Sequence, residues 1–185
     1  ERLGYPVVVK LASTTLVHKS EWDGVVLDLH DADGVRAAWD SIRGRLVEAG
    51  KEAEMAGVTV QKMAPGGTEV MIGMTEDPSF GPLIAFGLGG VTVELLGDVV
   101  FRITPLTDQD AKEMIQGIRG AKLLEGFRGS PVRDRQAVID ILLRISRLVE
   151  ELPVISEIDF NPVRVYTDGE GAEVLDARIL LKGNE

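Results

Sequence analysis

Near its C-terminus the chain reads Ile158-Asp159-Phe160-Asn161-Pro162-Val163-Arg164-Val165-Tyr166 and then, past Asp168-Gly169, Ala172-Glu173-Val174-Leu175-Asp176. Two strand-like runs around an Asp-Gly dipeptide form a strong hairpin signal, because those residues tolerate the backbone conformations a two-residue turn requires. The simplest pairing puts the turn at that dipeptide. With Asp168 and Gly169 as the central residues, Val165 faces Ala172, Val163 faces Val174, and Asn161 faces Asp176. Directly opposed residues have Cβ atoms about 4.5 to 5.5 Å apart. At that spacing an amide oxygen and a carboxylate can share a hard cation such as Mg²⁺, which takes oxygen ligands and keeps waters or substrate phosphates. Val163, Val165, Val174 and Ala172 are expected on the same face, so the pair should sit at the rim of an apolar surface. A purely structural role stays open: Asn161 capping a bend before Pro162, and Asp176 starting the next turn.

With 185 residues, 44% hydrophobic and 27% charged, the chain can build one good-sized core or two small lobes. A net charge of −10 and a pI near 4.8 argue against a general nucleic-acid or anionic-membrane surface, while a local basic pocket for phosphates remains compatible. Neither a nucleic acid nor a membrane is therefore expected as a partner. No apolar run approaches the roughly 20 residues of a membrane span, and no signal-peptide pattern is present. There is no cysteine, which excludes disulfides and thiolate chemistry and fits a cytoplasmic setting. The chain starts at Glu1 and enters a strand-like run by Pro6, which reads as a piece of a longer polypeptide.

Strands are expected at Pro6 to Lys10, Gly24 to Leu29, Val58 to Lys62, Thr68 to Met74, Leu83 to Gly87 and Val99 to Ile103. Val35, Ala38, Trp39, Ile42 and Leu46 recur at helical spacing and predict a helix over about 32–49. Thr107 followed by Asp108 and Asp110 reads as an N-cap with acidic first-turn residues, opening a helix to about Arg119. Val138, Ile141, Leu142, Ile145, Leu148 and Val149 predict a longer helix over about 134–151, stopped before Pro153. Several consecutive strands lack an intervening helix. The fold class is therefore α+β, two lobes with mainly antiparallel or mixed sheets, and not a doubly wound parallel sheet.

Several side chains in this frame can carry chemistry. Lys10 ends an apolar strand, where an ammonium can hold a phosphate as a point charge; a solvated strand end is the simpler alternative. Gly87-Leu88-Gly89-Gly90 follows a strand, and its small residues let backbone N–H groups approach phosphate oxygens; a plain turn, with Glu94 a surface carboxylate, is the competing reading. The glycine spacing of a dinucleotide fingerprint and the Walker pattern are both absent. His18 lies in a polar break between strands and can act as base or as nucleophile toward phosphorus, whereas His30 reads as a turn residue. Arg102, inside a strand, can clamp phosphate oxygens or form an edge ion pair.

Taken in order, Gly4-Tyr5-Pro6-Val7-Val8-Val9-Lys10, His18-Lys19-Ser20, Gly73-Met74-Thr75-Glu76-Asp77-Pro78-Ser79-Phe80-Gly81-Pro82, Phe86-Gly87-Leu88-Gly89-Gly90 and Glu157-Ile158-Asp159-Phe160-Asn161-Pro162 resemble the ATP-grasp domain of NDP-forming acyl-CoA synthetases, the group of ADP-forming acetate:CoA ligases related to succinyl-CoA synthetase. The resemblance spans almost the whole chain. It implies an ATP-grasp fold, truncated in its N-terminal part, with a first lobe over 1–62 and a second lobe over 63–185 that carries the metal site. It further implies ATP or ADP and Mg²⁺ as cofactors, with Lys10 on nucleotide phosphates and Asn161 and Asp176 on the metal. By the same resemblance Gln61, Lys62 and Met63, with Gly89 and Gly90, contribute to nucleotide binding. His18 relays phosphate, and Glu94 and Arg102 match functional positions. The implied reaction is acyl-CoA + ADP + phosphate to carboxylate + CoA + ATP, through a phosphohistidine on a separate ligase module, so CoA-binding and ligase domains are the expected partners.

After His-Lys-Ser the family usually carries Asp, a variable residue and two glycines; this chain has Glu21-Trp22-Asp23-Gly24. A bulky Trp22 and an anionic Asp23 would narrow or repel a phosphate path. That departure favours the alternative that similar domains represent when fused to a GNAT acetyltransferase, a catalytically degenerate regulatory module.

Overall fold

A computed structural model describes residues 3–16, 19–89 and 97–183. The chain divides into two compact units, Glu1–Ala64 and Pro65–Glu185, two residues from the expected boundary. Among the described residues no helix is long and apolar enough to cross a membrane.

The first unit is a three-stranded antiparallel sheet, β1 (Val7–Ala12), β2 (Val25–Leu29) and β3 (Gly57–Lys62) in the order β2-β1-β3, with helix α1 (Ala32–Glu48). Alternation along β1 sends Val9 and Leu11 to one face, where both are fully buried against Ala38, Ile42 and Leu46 of α1. The helix starts where Asp31 Oδ1 accepts the Gly34 amide at 2.7 Å, an N-cap bond. Trp39, expected in the apolar stripe, stays 37% exposed because it follows Ala38 by one residue and so lies a full 100° around the helix from it. Gly24 meets the strand too closely for a side chain: a Cβ there would lie 2.9 Å from Leu11 Cβ.

In the second unit the strands are all antiparallel, with β4 (Thr68–Asp77), β5 (Gly81–Leu88), β6 (Val99–Ile103), β7 (Ile155–Val165) and β8 (Ala172–Val174) in the order β6-β5-β4-β7-β8. Strand β9 (Ala177–Leu181), absent from the sequence expectation, also pairs with β7 and continues the hairpin beyond Asp176. Helices α2 (Asp108–Gly117) and α3 (Arg135–Glu151) pack on one face of this sheet. That face presents Val70, Ile72 and Met74 from β4, Ile84 and Phe86 from β5, and Ile158 from β7, all buried. By alternation the other face carries Gly73, Ala85, Phe101 and Asp159.

The helix boundaries follow their caps. Thr107 and Asp110 form a capping box at the start of α2. The helix ends at Gly117, before the expected Arg119, because the buried Asp98 carboxylate draws the Arg119 and Gly120 amides to itself at 2.7 and 2.8 Å. Helix α3 buries Ile139 and Ser146 besides the expected Val138, Leu142, Ile145 and Val149; the Ser146 hydroxyl accepts the Leu106 amide at 2.8 Å.

The start of α3 is fastened to the β7–β8 turn. Asp134, 8% exposed, accepts the Ala137 amide on Oδ1 at 3.0 Å and the Gly169 and Gly171 amides on Oδ2 at 3.1 and 2.9 Å. These donors hold its carboxyl below the usual aspartate value, the Ala137 amide most and the Gly171 amide next, against a desolvation that pushes the other way. In the sequence this position carries only the signal of a helix boundary.

Leu142, fully buried in the second core, should cost about 2–5 kcal/mol when truncated to alanine, whereas Val47→Ala, 49% exposed on α1, should stay within about 0.5 kcal/mol, both read from urea denaturation. For Asp134 the folded pKa lies below the unfolded value of about 3.9, so its contribution is complete above about pH 4 and is lost as pH falls through the folded value. The urea midpoint of Asp134→Asn should therefore lie below that of wild type at pH 7, and the two should converge as the solution is acidified below about pH 4.

Candidate metal and nucleotide site

The β7–β8 ladder pairs Val163 with Val174, Arg164 with Glu173 and Val165 with Ala172, and β9 continues the same register with Phe160 opposite Ala177 and Asp159 opposite Arg178. Asn161 therefore lies opposite Asp176, and its amide donates to the Asp176 carbonyl at 3.2 Å. The neighbouring Pro162 has no N–H to give, and its carbonyl accepts from Leu175 at 3.0 Å.

On the other side of β7, Val70 of β4 faces Val163 but Ile72 faces Phe160. Two residues of β7, Asn161 and Pro162, thus stand opposite Met71 alone, which is a β-bulge. The bulge corrects one expectation. Asn161 does not share a face with Val163 and Val165, which are fully buried; the phase of alternation switches at the bulge, and Asn161 is exposed. Below the bulge Ile158 and Phe160 pack into the core, which leaves Asn161 on the face of Asp159 and Glu157. One row across that face runs Phe101, Ala85, Gly73, Asp159, Arg178, each opposite the next. Glu157 and Asp159, the two carboxylates beside Asn161, carry no local signal in the sequence that singles them out; only the sheet register brings them into line.

Among the described residues no group of three or more His, Cys, Asp or Glu side chains forms a metal cluster. The donor set nevertheless fits Mg²⁺, which is usually held by one or two protein carboxylates with waters and substrate phosphates completing its shell. Asn161 supplies a neutral oxygen and Asp176, half-buried, an anionic one.

The remaining sequence candidates separate. Lys10 does not end its strand: β1 continues through Ala12, and Lys10 lies between Val9 and Leu11, opposite Val25 and Thr59, on the face away from those buried side chains. Gln61 and Lys62 are exposed at the end of β3, opposite Val8 and Val7, and the half-buried Met63 donates its amide to the Pro6 carbonyl at 3.0 Å. Gly89 departs from expectation, since its amide is spent inside the sheet on the Glu69 carbonyl at 2.8 Å and a Cβ there would lie 2.9 Å from the Val70 oxygen. Arg102 lies on the helix-covered face of β6, opposite Ile84, with its guanidinium 3.6 Å from Glu113 of α2. That is the edge ion pair, on the opposite face of the sheet from Asp159. His18, Gly90 and Glu94 lie outside the described residues.

The two departures from the family pattern have structural tasks. Trp22 packs against the core of the first unit, with the Lys51 ammonium 5.9 Å from its ring centroid. Asp23 takes a left-handed backbone with φ 44° and offers its carbonyl to Arg45 at 2.9 Å.

Comparison with known proteins places this geometry. Residues 1–181 match the ATP-grasp domain family. The acetate–CoA ligase [ADP-forming] II subunit beta of Pyrococcus furiosus is 46% identical over 184 residues, covering 99% of this chain and 78% of that subunit. Among solved structures, the dinucleotide-forming acetyl-coenzyme A synthetase 1 of Ca. Korarchaeum cryptofilum with coenzyme A and Ca-AMPCP superposes with a TM-score of 0.90 at 45% identity, covering 98% of this chain and 78% of that one. A second structure of that enzyme, with coenzyme A and Mg-AMPPCP and its phosphohistidine segment pointing towards the nucleotide-binding site, gives a TM-score of 0.80 at 43% identity over 98% and 78% of the two chains. With this fold, this hairpin and these relatives, the chain belongs to the ATP-grasp family, in the branch of the ADP-forming acyl-CoA synthetases.

Proposed function

We propose that the chain is the nucleotide-binding, phosphoryl-transferring part of an acid–CoA ligase that converts acyl-CoA, ADP and phosphate into carboxylate, CoA and ATP, working with CoA-binding and ligase modules. The observation that carries this reading is the opposition of Asn161 and Asp176 across the hairpin, at the β7 bulge, in a chain 46% identical to an ADP-forming ligase subunit. Two arguments support the cofactors: the oxygen-only donor set suits a hard cation, and the Korarchaeum enzyme was solved with Mg-AMPPCP.

In this reading Asn161 and Asp176 hold Mg²⁺, which when bound offsets charge on the nucleotide phosphates. On the first unit, Lys10 serves as a point charge for phosphate oxygens, and the segment Gln61-Lys62-Met63 holds the base with groups other than the Met63 amide, which is donated to Pro6. Phosphoryl transfer breaks the N–P bond of a phosphohistidine and forms a P–O bond to the terminal oxygen of ADP; the imidazole nitrogen keeps the bonding pair. His18 acts as the relay, taking the group from the ligase module's histidine and passing it on. With Trp22 packed in a core and Asp23 turned toward Arg45, the residues that favoured a regulatory module have tasks in the fold. Gly89 and Arg102 have no part in phosphate binding here.

Calorimetric titration of ADP with Mg²⁺ into the protein should give saturable binding, weakened at least tenfold in Asp176→Ala and in Asn161→Ala, and little changed in Arg102→Ala. Equal affinity in wild type and Asp176→Ala, or no binding to wild type, would overturn the assignment.

A further inference from the structure

The register of the β7–β8 hairpin is held at two ends: β9 continues it on β7 past Asp176, and the turn is fastened from outside the hairpin. Strand β8 is only three residues long and lies at the end of the strand order, so the ladder on the turn side of the Asn161–Asp176 pair is the short one. Its turn leaves the Gly169 and Gly171 amides to be satisfied, and both go to one atom outside the hairpin, Asp134 Oδ2. Two main-chain bonds flank this contact: the Asp134 amide donates to the Tyr166 carbonyl and the Asp168 amide to the Val132 carbonyl, each at 3.0 Å. The other oxygen of Asp134 caps α3, whose Val138, Leu142 and Ile145 are locked in the core. A chain of contacts thus runs from the buried face of α3 through one carboxylate to the turn.

We propose that Asp134 is a positioning residue for the Asn161–Asp176 pair: by gripping both turn glycines it fixes the turn end of the hairpin, as the β9 ladder fixes the other end, and the register so held sets the two ligands opposite one another. The proposal rests on the reading of that pair as a metal site. Asp134 touches no ligand itself, since the five steps along the chain from Asn161 to Tyr166 separate the pair from the turn by about 17 Å. A slip of one residue at the turn would carry Asp176 past Asn161 and exchange the faces of β8.

The informative variant is Asp134→Ser, which keeps a good helix N-cap but is too short to reach Gly169 and Gly171. Asp98→Asn is the control: it weakens a second buried carboxylate that also accepts two backbone amides, away from the hairpin. Affinity for Mn²⁺ in the presence of ADP, read from the electron paramagnetic resonance of free Mn²⁺, is compared with the thermal midpoint of each protein. Asp134→Ser should lose at least tenfold in Mn²⁺ affinity, while Asp98→Asn keeps wild-type affinity despite a lowered midpoint. Retained affinity in Asp134→Ser, or equal losses in both variants, would overturn the proposal while leaving the metal assignment intact. If Asp176→Ala bound Mn²⁺ as wild type does, the metal assignment would fall and this proposal with it. Should Asp134→Ser not fold, Asp134→Asn, which keeps the side-chain shape but has one acceptor oxygen and cannot serve both the α3 cap and the turn glycines, carries the same comparison.

Discussion

Strand β7 has to serve two faces of one sheet, and the extra residue at Asn161–Pro162 is what allows it. Without that bulge, strict alternation would put Asn161 on the face of Val163 and Val165, inside a core where an unpaired amide is costly. With it, Ile158 and Phe160 pack below and Val163 and Val165 above, while Asn161 is released opposite Asp176. The hydrophobic free energy that stabilises the second unit and the geometry of its candidate site are thereby written on a single backbone. The rest of the unit is arranged around it: β4 contributes the partner that defines the bulge, β9 prolongs the hairpin, and α3 anchors the turn.

Much of this was legible in the sequence because local rules agreed with the tertiary outcome. The Asp168-Gly169 turn specified the pairing of Val163 with Val174 without any structure, and the caps at Asp31 and Thr107 opened helices where the apolar period began. What local rules miss is contact between distant segments. The end of α2 depends on Asp98, some twenty residues upstream, and the bulge depends on how β4 meets β7; neither leaves a mark in a window of ten residues. Strand β9 escaped for a related reason: Ala177–Leu181 follows Asp176 with no turn signal of its own, and only its pairing with β7 defines it.

The candidate polar residues divide along the same line. Asn161 and Asp176 could be paired from the sequence because a two-residue turn joins their strands. Arg102 and Gly89 needed the tertiary pairing, since only it shows which face of the sheet the arginine occupies and which carbonyl takes the glycine amide. Trp22 and Asp23 teach the converse. Residues that differ from a family pattern can be absorbed by packing, and a departure in sequence is then no measure of a departure in chemistry.

Arg102 has a consequence separate from catalysis. Among the described residues β6 stands at the open end of its sheet, and its Phe101 and Ile103 are each 51% exposed. Such an edge is a template for a strand from another molecule. A five-residue length opposes that pairing, and so does a charge on the helix-covered side of the strand, so the arginine paired with Glu113 makes β6 a poorer template for a second chain.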